Sequence, residues 1–254
     1  MVSAIIKNKT EKEEDKITSS VFDTLLHLPD EMLWRVIKNS CYDNSNLPTK
    51  AGNLLDHEFW PHWDKKNTGN ERYVEPDLFM GFREIDIIIE AKLENNKQDR
   101  EQWKKELTAY NNEYGHSRNA MLLAIDGIDN ENKEEIKINK DVVIYVYKTR
   151  WIKMYSIIRK YLNEINDTKN DDENNVIRTL SILKDFMDYS GYLKTWFGEL
   201  LEKNITFTNI MDSITMLKSN ISTVQCENNW FIDMLKKNIT INSKSIGYIK
   251  RWGV

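Results

Sequence analysis

Twelve residues separate Asp77 from Glu90, and Lys92 follows Glu90 by two, inside a stretch otherwise suited to a buried sheet: EPDLFMGFREIDIIIEAKL, from Glu75 to Leu93. Strand side chains alternate between faces, so Ile85, Ile87, Ile89 and Ala91 fall on one side while Asp86, Ile88, Glu90 and Lys92 fall on the other. Glu75, Asp77 and Phe79 share a face of the preceding strand, and a turn centred between Arg83 and Glu84 sets Asp77 opposite Glu90. Two carboxylates and an ammonium then meet at one edge of a sheet. A carboxylate set among aliphatic residues of a central strand is costly when unpaired, and a cation removes that cost. Two carboxylates suit a hard, oxygen-seeking ion such as Mg2+, and a lysine close by can hold a metal-bound water, help deprotonate it and stabilise charge on a phosphate. Such a set fits hydrolysis of a phosphodiester. A plainer alternative stays open at this point, with Glu90 and Lys92 a solvated pair on a half-exposed strand and Asp77 a turn cap after Pro76.

The elements that must position these groups follow from periodicity. The first sixteen residues, MVSAIIKNKTEKEEDK, are mostly polar and charged and read as a loose arm. From Ile17, Val21, Leu25, Leu26 and Leu28 recur at helical spacing. Pro29-Asp30-Glu31 then opens a second helix carrying Met32, Leu33, Val36 and Ile37. TKAGNLLDHEFWPHWDKKNTGNERY reads as loop, with Phe59, Trp60 and Trp63 packed against the sheet. After the two strands, QDREQWKKELTAYNNEY is a surface helix with Trp103, Leu107 and Tyr110 on its apolar face. Further strands are expected at Asn119 to Ile125 and at Asp141 to Tyr147, separated by the charged loop DGIDNENKEEIKINK. A helix from Trp151 to about Ile165 ends in the polar stretch NDTKNDDENN, the strongest boundary signal in the chain, and helical patterns follow it. These include the Val176, Leu180, Leu183, Phe186 stripe and segments at Tyr192 to Leu201 and Ile210 to Met216. The expected fold is α/β, a central mixed sheet flanked by helices. Three regions are expected: the arm (1–16), the core (17–165) and a mainly helical C-terminal region (166–254).

Pro76-Asp77, twelve residues, then Glu90-Ala91-Lys92 resembles the motif of the PD-(D/E)xK nucleases, the restriction-endonuclease-like proteins. The order of helix, strand with Asp, strand with ExK, helix and strand matches that family's core from about Ile17 to Tyr147. The resemblance implies a metal-dependent DNA endonuclease using Mg2+ or Mn2+, with Asp77 and Glu90 as metal ligands, Ala91 as a carbonyl ligand and Lys92 orienting the attacking water. Members often carry a Gln and an aromatic residue on the helix after the ExK strand; Gln102 and Tyr110 match, with Gln98 in reserve. For the further acid that many members place on the first core helix, Glu31 is the choice and Asp30 and Asp23 are rivals, although Asp30 and Glu31 also suit a helix N-terminus. By the same resemblance the setting is microbial defence against foreign DNA, and the region after Asn166 serves dimerisation or contact with a partner subunit or DNA. Two competing functions are a catalytically idle module that binds nucleic acid or a partner protein, and a nuclease acting on RNA or branched DNA.

The whole composition limits the rest. With 40% hydrophobic residues, 30% charged residues and eight Trp, the 254-residue chain carries enough apolar surface for a large core and a water-compatible exterior. No apolar run reaches membrane-spanning length and no signal-peptide pattern opens the chain, so a cytoplasmic protein away from membranes is expected. Cys41 and Cys226 form no zinc or disulfide pattern, and His57 and His62 lack a third ligand. A formal charge of -4 excludes binding a polyanion through overall charge, so a nucleic acid must meet a local patch. Lys104 and Lys105, beside Gln102, are candidates for phosphate contact, and Lys148, Arg150 and Lys153 form a second cluster. The C-terminal SKSIGYIKRWGV is compatible with nucleic-acid contact or with a docked tail.

Overall fold

The computed structural model describes residues 2–93, 96–115, 118–140, 142–168 and 174–189. Its elements run α1 (Val2–Ile6), α2 (Glu13–Leu25), α3 (Asp30–Ser40), β1 (Leu54–Phe59), β2 (Trp63–Asp64), β3 (Tyr73–Val74), β4 (Leu78–Phe82), β5 (Asp86–Ala91) and α4 (Arg100–Tyr114). They continue as β6 (Ala120–Ile125), β7 (Glu134–Lys137), β8 (Val143–Thr149), α5 (Trp151–Thr168) and α6 (Asn174–Tyr189). Six strands form one mixed sheet in the order β1-β4-β5-β6-β8-β7, and β2 and β3 form a separate hairpin. The fold is α/β, with helices on both faces of the sheet.

Alternation within the strands sends their side chains into two cores. Met80, Ile87, Ile89, Met121, Leu123 and Ile125 pack beneath the N-terminal helices and α5 and α6, whereas Phe79, Ile88, Leu122, Ala124 and Val146 pack beneath α4 and the hairpin. β5 lies in the middle, antiparallel to β4 and parallel to β6, and all six of its residues are buried. That explains its aliphatic run: a strand covered on both faces has no solvent side to give polar residues. The pairing of Leu78 with Ile89 and of Gly81 with Asp86 is the register expected from a turn between Arg83 and Glu84, and it carries Asp77 level with Glu90.

Four expectations need correction. Residues 1–16 are not a loose arm, because α1 buries Ala4, Lys9 pairs with Glu75, and α2 starts at Glu13. β1 and β7 lie in segments that read as loops; both are edge strands, mostly exposed, so neither shows the apolar alternation of a half-buried strand. The polar stretch after α5 is not the edge of the core either, since Leu180, Leu183 and Met187 of α6 are fully buried in the larger core. Of the cations at the β8–α5 junction, Lys148 is buried in an ion pair with Glu134, Arg150 bonds the Ile128 carbonyl (3.2 Å) and Lys153 lies 4.0 Å over the Tyr42 ring. None of these three is set free for phosphate. The segments at Tyr192 to Leu201 and Ile210 to Met216, the C-terminal SKSIGYIKRWGV and Cys226 lie outside the described residues.

Candidate active site

The carboxyl end of β5 brings together the groups that the sequence separates. Asp77 precedes β4 and is 9% exposed; its Oδ2 accepts the Ala91 N–H at 2.8 Å, so the two strands are tied side chain to backbone beyond their last ladder pair. Its carbonyl accepts the Trp60 N–H at 3.0 Å. Trp60 is buried and holds a φ of 48, a conformation that costs a non-glycine residue on the order of 1 kcal/mol, so packing around FWP fixes the backbone against which Asp77 rests. The aromatics of this stretch, Phe59, Trp60 and Trp63, are core.

Glu90 is 2% exposed and faces α4. Its Oε1 accepts from Lys92 Nζ and, at 2.7 Å, from Gln102 Nε2. Lys92 follows the strand, its N–H donating to the Ile125 carbonyl at 2.8 Å and its own carbonyl accepting the Trp151 indole N–H at 3.2 Å. Gln98 is a brace: its amide N–H groups reach the carbonyls of Glu90 (3.1 Å) and Ile125 (3.2 Å), and its oxygen accepts from Trp103 Nε1. Asp77, Glu90, Lys92 and Gln102 therefore converge, with Ala91 buried between them.

Two nearby acids come from positions that the sequence did not connect to this point. Glu14, in the first turn of α2, accepts the Leu93 N–H (3.0 Å) and the Asn96 side-chain amide (3.1 Å) through Oε2, while its Oε1 lies 3.6 Å from Lys92 Nζ. Glu106, one α4 turn beyond Gln102 and 1% exposed, accepts from Gln102 Nε2 at 2.9 Å and has its carboxyl against that of Glu90. Its place on the buried arc, between Trp103 and Tyr110 at helical spacing, is the signal that could have found it. Glu14 sits in an acidic tract that reads as ordinary helix-start charge, and nothing in its spacing sets it apart.

Other expectations move. Glu31 is exposed in the first turn of α3, and Asp30 beside it accepts the Leu54 N–H of β1 at 3.1 Å; the helix acid that reaches Lys92 is Glu14. Asp23, the other rival, binds Ser3. Tyr110 is 1% exposed and donates its hydroxyl to Asp86 at 2.7 Å, where Arg118 completes the pairing at 2.6 Å, so it is a core residue tied to the sheet. Lys104 is exposed on α4 and Lys105 half-buried.

The electrostatics show an excess of acid. Burial, and then the Glu90 charge, push Asp77 well above the usual carboxylate range against the pull of the Ala91 N–H. Burial raises Glu90 despite Lys92, and burial with the Glu90 charge raises Glu106 strongly. Burial also raises Asp15, next to Glu14. Lys92 loses by burial but is drawn upward by Glu90 and Asp77. One partly buried ammonium thus serves several buried carboxyls, an arrangement that a divalent cation would complete. Among the described residues no group of three or more His, Cys, Asp or Glu side chains is placed to hold a metal ion. Mg2+ does not need one, since it keeps several waters and takes few protein ligands.

Beside Gln102 and Glu106 a cleft of about 330 Å3 runs between α4 and the β2–β3 hairpin, with Asn70, Glu75, Asp99 and Lys105 also on its walls. A larger cavity, about 480 Å3, surrounds Arg118, Asn119 and Tyr145 at the opposite end of the parallel strands.

No family model matches the chain. Over 171 residues, 61% of its length, it is 32% identical to the uncharacterized protein PM0110 of Pasteurella multocida (strain Pm70), of which it spans 63%.

Proposed function

We propose that this chain is a metal-dependent nuclease of the PD-(D/E)xK type that hydrolyses DNA phosphodiester bonds. The observation that carries the proposal is the meeting of Asp77, Glu90, Lys92 and Gln102 at the end of a buried central strand, with more buried carboxyl groups than local cations to balance them. The Asp77 and Glu90 carboxylates, with the Ala91 carbonyl, would hold Mg2+ or Mn2+. Once bound, the ion would polarise a phosphoryl oxygen and acidify a water.

The protein's own groups have separate tasks. Lys92 carries a charge that its acidic neighbours keep in place, which suits it to orient the attacking water and to oppose charge growing on the phosphate. Gln102 fixes Glu90 Oε1 from α4, leaving that carboxylate little rotational freedom. Glu14 braces the backbone N–H just past Lys92 and limits where its ammonium can move. Among the described residues no helix is long and apolar enough to cross a membrane. A cytoplasmic setting in microbial defence, and pairing of two copies or with a partner subunit to cut both strands, belong to the same proposal through the family resemblance.

A second reading keeps the fold as a binding module without catalysis. It is favoured by the pairing of Lys92 with both Glu90 and Glu14, which satisfies the ammonium without substrate. Plasmid, branched DNA and RNA incubated with Mg2+ or Mn2+ separate the two. Cleavage by the wild type, reduced on the order of 100-fold or more in Asp77→Ala and Lys92→Ala, is expected. Equal survival of every substrate with all three proteins would sink the nuclease proposal.

A further inference from the structure

A chain of net charge -4 can hold a polyanion only through a local patch, and one lies on the two elements that bound the cleft beside Gln102 and Glu106, with Lys105 on the cleft itself. One wall is α4, with Lys104 and Lys105. The other is the β2–β3 hairpin, whose connecting residues 65–72 read KKNTGNER. Lys66, Arg72 and Lys104 are exposed, Lys105 is half-buried on the cleft wall, and none of the four has a carboxylate partner within ion-pair distance among the described residues. Other cations near the site are already engaged, Lys9 by Glu75, Lys92 by Glu90 and Arg100 by Glu134.

The hairpin loop is held in shape before any ligand arrives. Thr68 donates both its N–H and its hydroxyl to the Lys65 carbonyl, at 3.0 and 2.7 Å, and its hydroxyl oxygen accepts the Asn70 N–H at 3.2 Å. Asn112 of α4 donates to the carbonyls of Asp64 (3.1 Å) and Lys66 (2.8 Å), and Glu113 accepts the Asp64 N–H, which clamps the hairpin to the helix that carries Gln102. At the tip Gly69 has a φ of 79, and a side chain there would meet nothing within 4 Å, so the backbone faces open space. Beside the loop Tyr73 stacks on His62 with ring centroids 3.8 Å apart, and both rings are substantially exposed. Cations without carboxylate partners, an open backbone tip and exposed aromatic faces are what a nucleic-acid strand engages. Of the acids on these walls, Glu106 is buried, Glu75 is paired with Lys9 and His62, and Asp99 accepts the Glu101 N–H that caps α4, while Glu71 and Glu101 are exposed and face a local excess of Lys65, Lys66, Arg72, Lys104 and Lys105.

The geometry points to the β2–β3 hairpin and the exposed side of α4 as the surface that grips the substrate DNA beside the scissile phosphate, with Lys66, Arg72, Lys104 and Lys105 meeting backbone phosphates. This inference rests on the nuclease reading for the position of the cut and is tested apart from it, by binding in the absence of cleavage. A fluorescein-labelled duplex is titrated with the full chain in Ca2+ over a range of salt concentrations, followed by anisotropy. Lys66→Ala/Arg72→Ala and Lys104→Ala/Lys105→Ala are compared with Lys137→Ala/Lys140→Ala at the opposite end of the strands. Each cleft-wall pair is expected to lower the salt slope of log K by about two, roughly one per cation removed, and the control pair to leave it unchanged. Slopes equal to wild type in both cleft-wall variants overturn the proposal, even where plasmid is still cut and the nuclease reading stands. Reduced slopes in a protein that cuts nothing support the surface and reject catalysis, whereas a wild type that binds no nucleic acid overturns both.

Discussion

A buried carboxyl group beside another favours its protonated form, and Asp77, Glu90 and Glu106 are in that position together. Their folded pKa values lie above those of the unfolded chain. The stability they contribute is therefore fully present below the ordinary carboxylate pKa and is lost as pH rises through the raised values. Asp23 and Asp43, held low, have finished titrating below this window. In chelator the melting temperature is expected to fall as pH rises above the ordinary carboxylate range, and Mn2+, which on the proposed function would bind the ionised acids, to raise it more at higher pH than at lower. Glu106→Gln removes one of these acids at almost constant shape and should flatten the fall. A melting temperature that climbs with pH in chelator, or ignores Mn2+ throughout, would contradict this account of the site. Asp77, Glu90 and Lys92 were legible because charges inside an aliphatic run break a pattern. Tyr110 misled because an aromatic on an amphipathic helix serves a core as readily as a ligand, and Glu31 because an acid in a first helical turn has the same sequence appearance whether it caps, coordinates or does neither.

Among the elements, the turn after β6 is what joins the two halves of the site. Gly127 has a φ of 62, and its carbonyl accepts the Gln98 N–H at 2.9 Å, while Gln98 in turn holds the Glu90 carbonyl. A Cβ at this position would run into the Asn96 carbonyl oxygen and crowd Lys92 Cβ at 3.1 Å. Gly115 has a similar φ of 73 but nothing within 4 Å of an added Cβ. Gly115→Ala is expected to cost about 1 to 3 kcal/mol from backbone conformation alone, since φ 73 with ψ -165 is a region kept almost entirely to glycine, and Gly127→Ala about 3 to 5 kcal/mol because packing strain is added. Chemical denaturation of the two variants measures the difference, and equal losses would mean that the Asn96–Gln98 turn yields freely. The central strands and α2 through α5 were readable because burial imposes a period on them. β1 and β7 were not, since exposed edge strands owe their structure to hydrogen bonding with a neighbour, and that neighbour is distant in sequence.

Over the whole molecule, the placement of α6 carries the core of the described residues past residue 165. NDTKNDDENN has the composition of a linker, and composition reports solvation of a segment without reporting what packs beyond it. Leu180, Leu183 and Met187 are fully buried in the same cluster as Val21, Phe22 and Trp151, and Trp151 reaches the Lys92 carbonyl with its indole N–H. α6 is thereby connected through packed side chains to the backbone of the site. Leu183→Ala in the full chain deletes buried methyl groups and leaves a cavity, a loss expected to be about 2 to 5 kcal/mol. Because the cavity lies in the core shared with β5, it should lower the same single transition that Mn2+ would raise on the proposed function. An α6 that unfolded by itself would instead give a second, earlier transition insensitive to Mn2+. Scanning calorimetry with and without the ion distinguishes one cooperative unit from two.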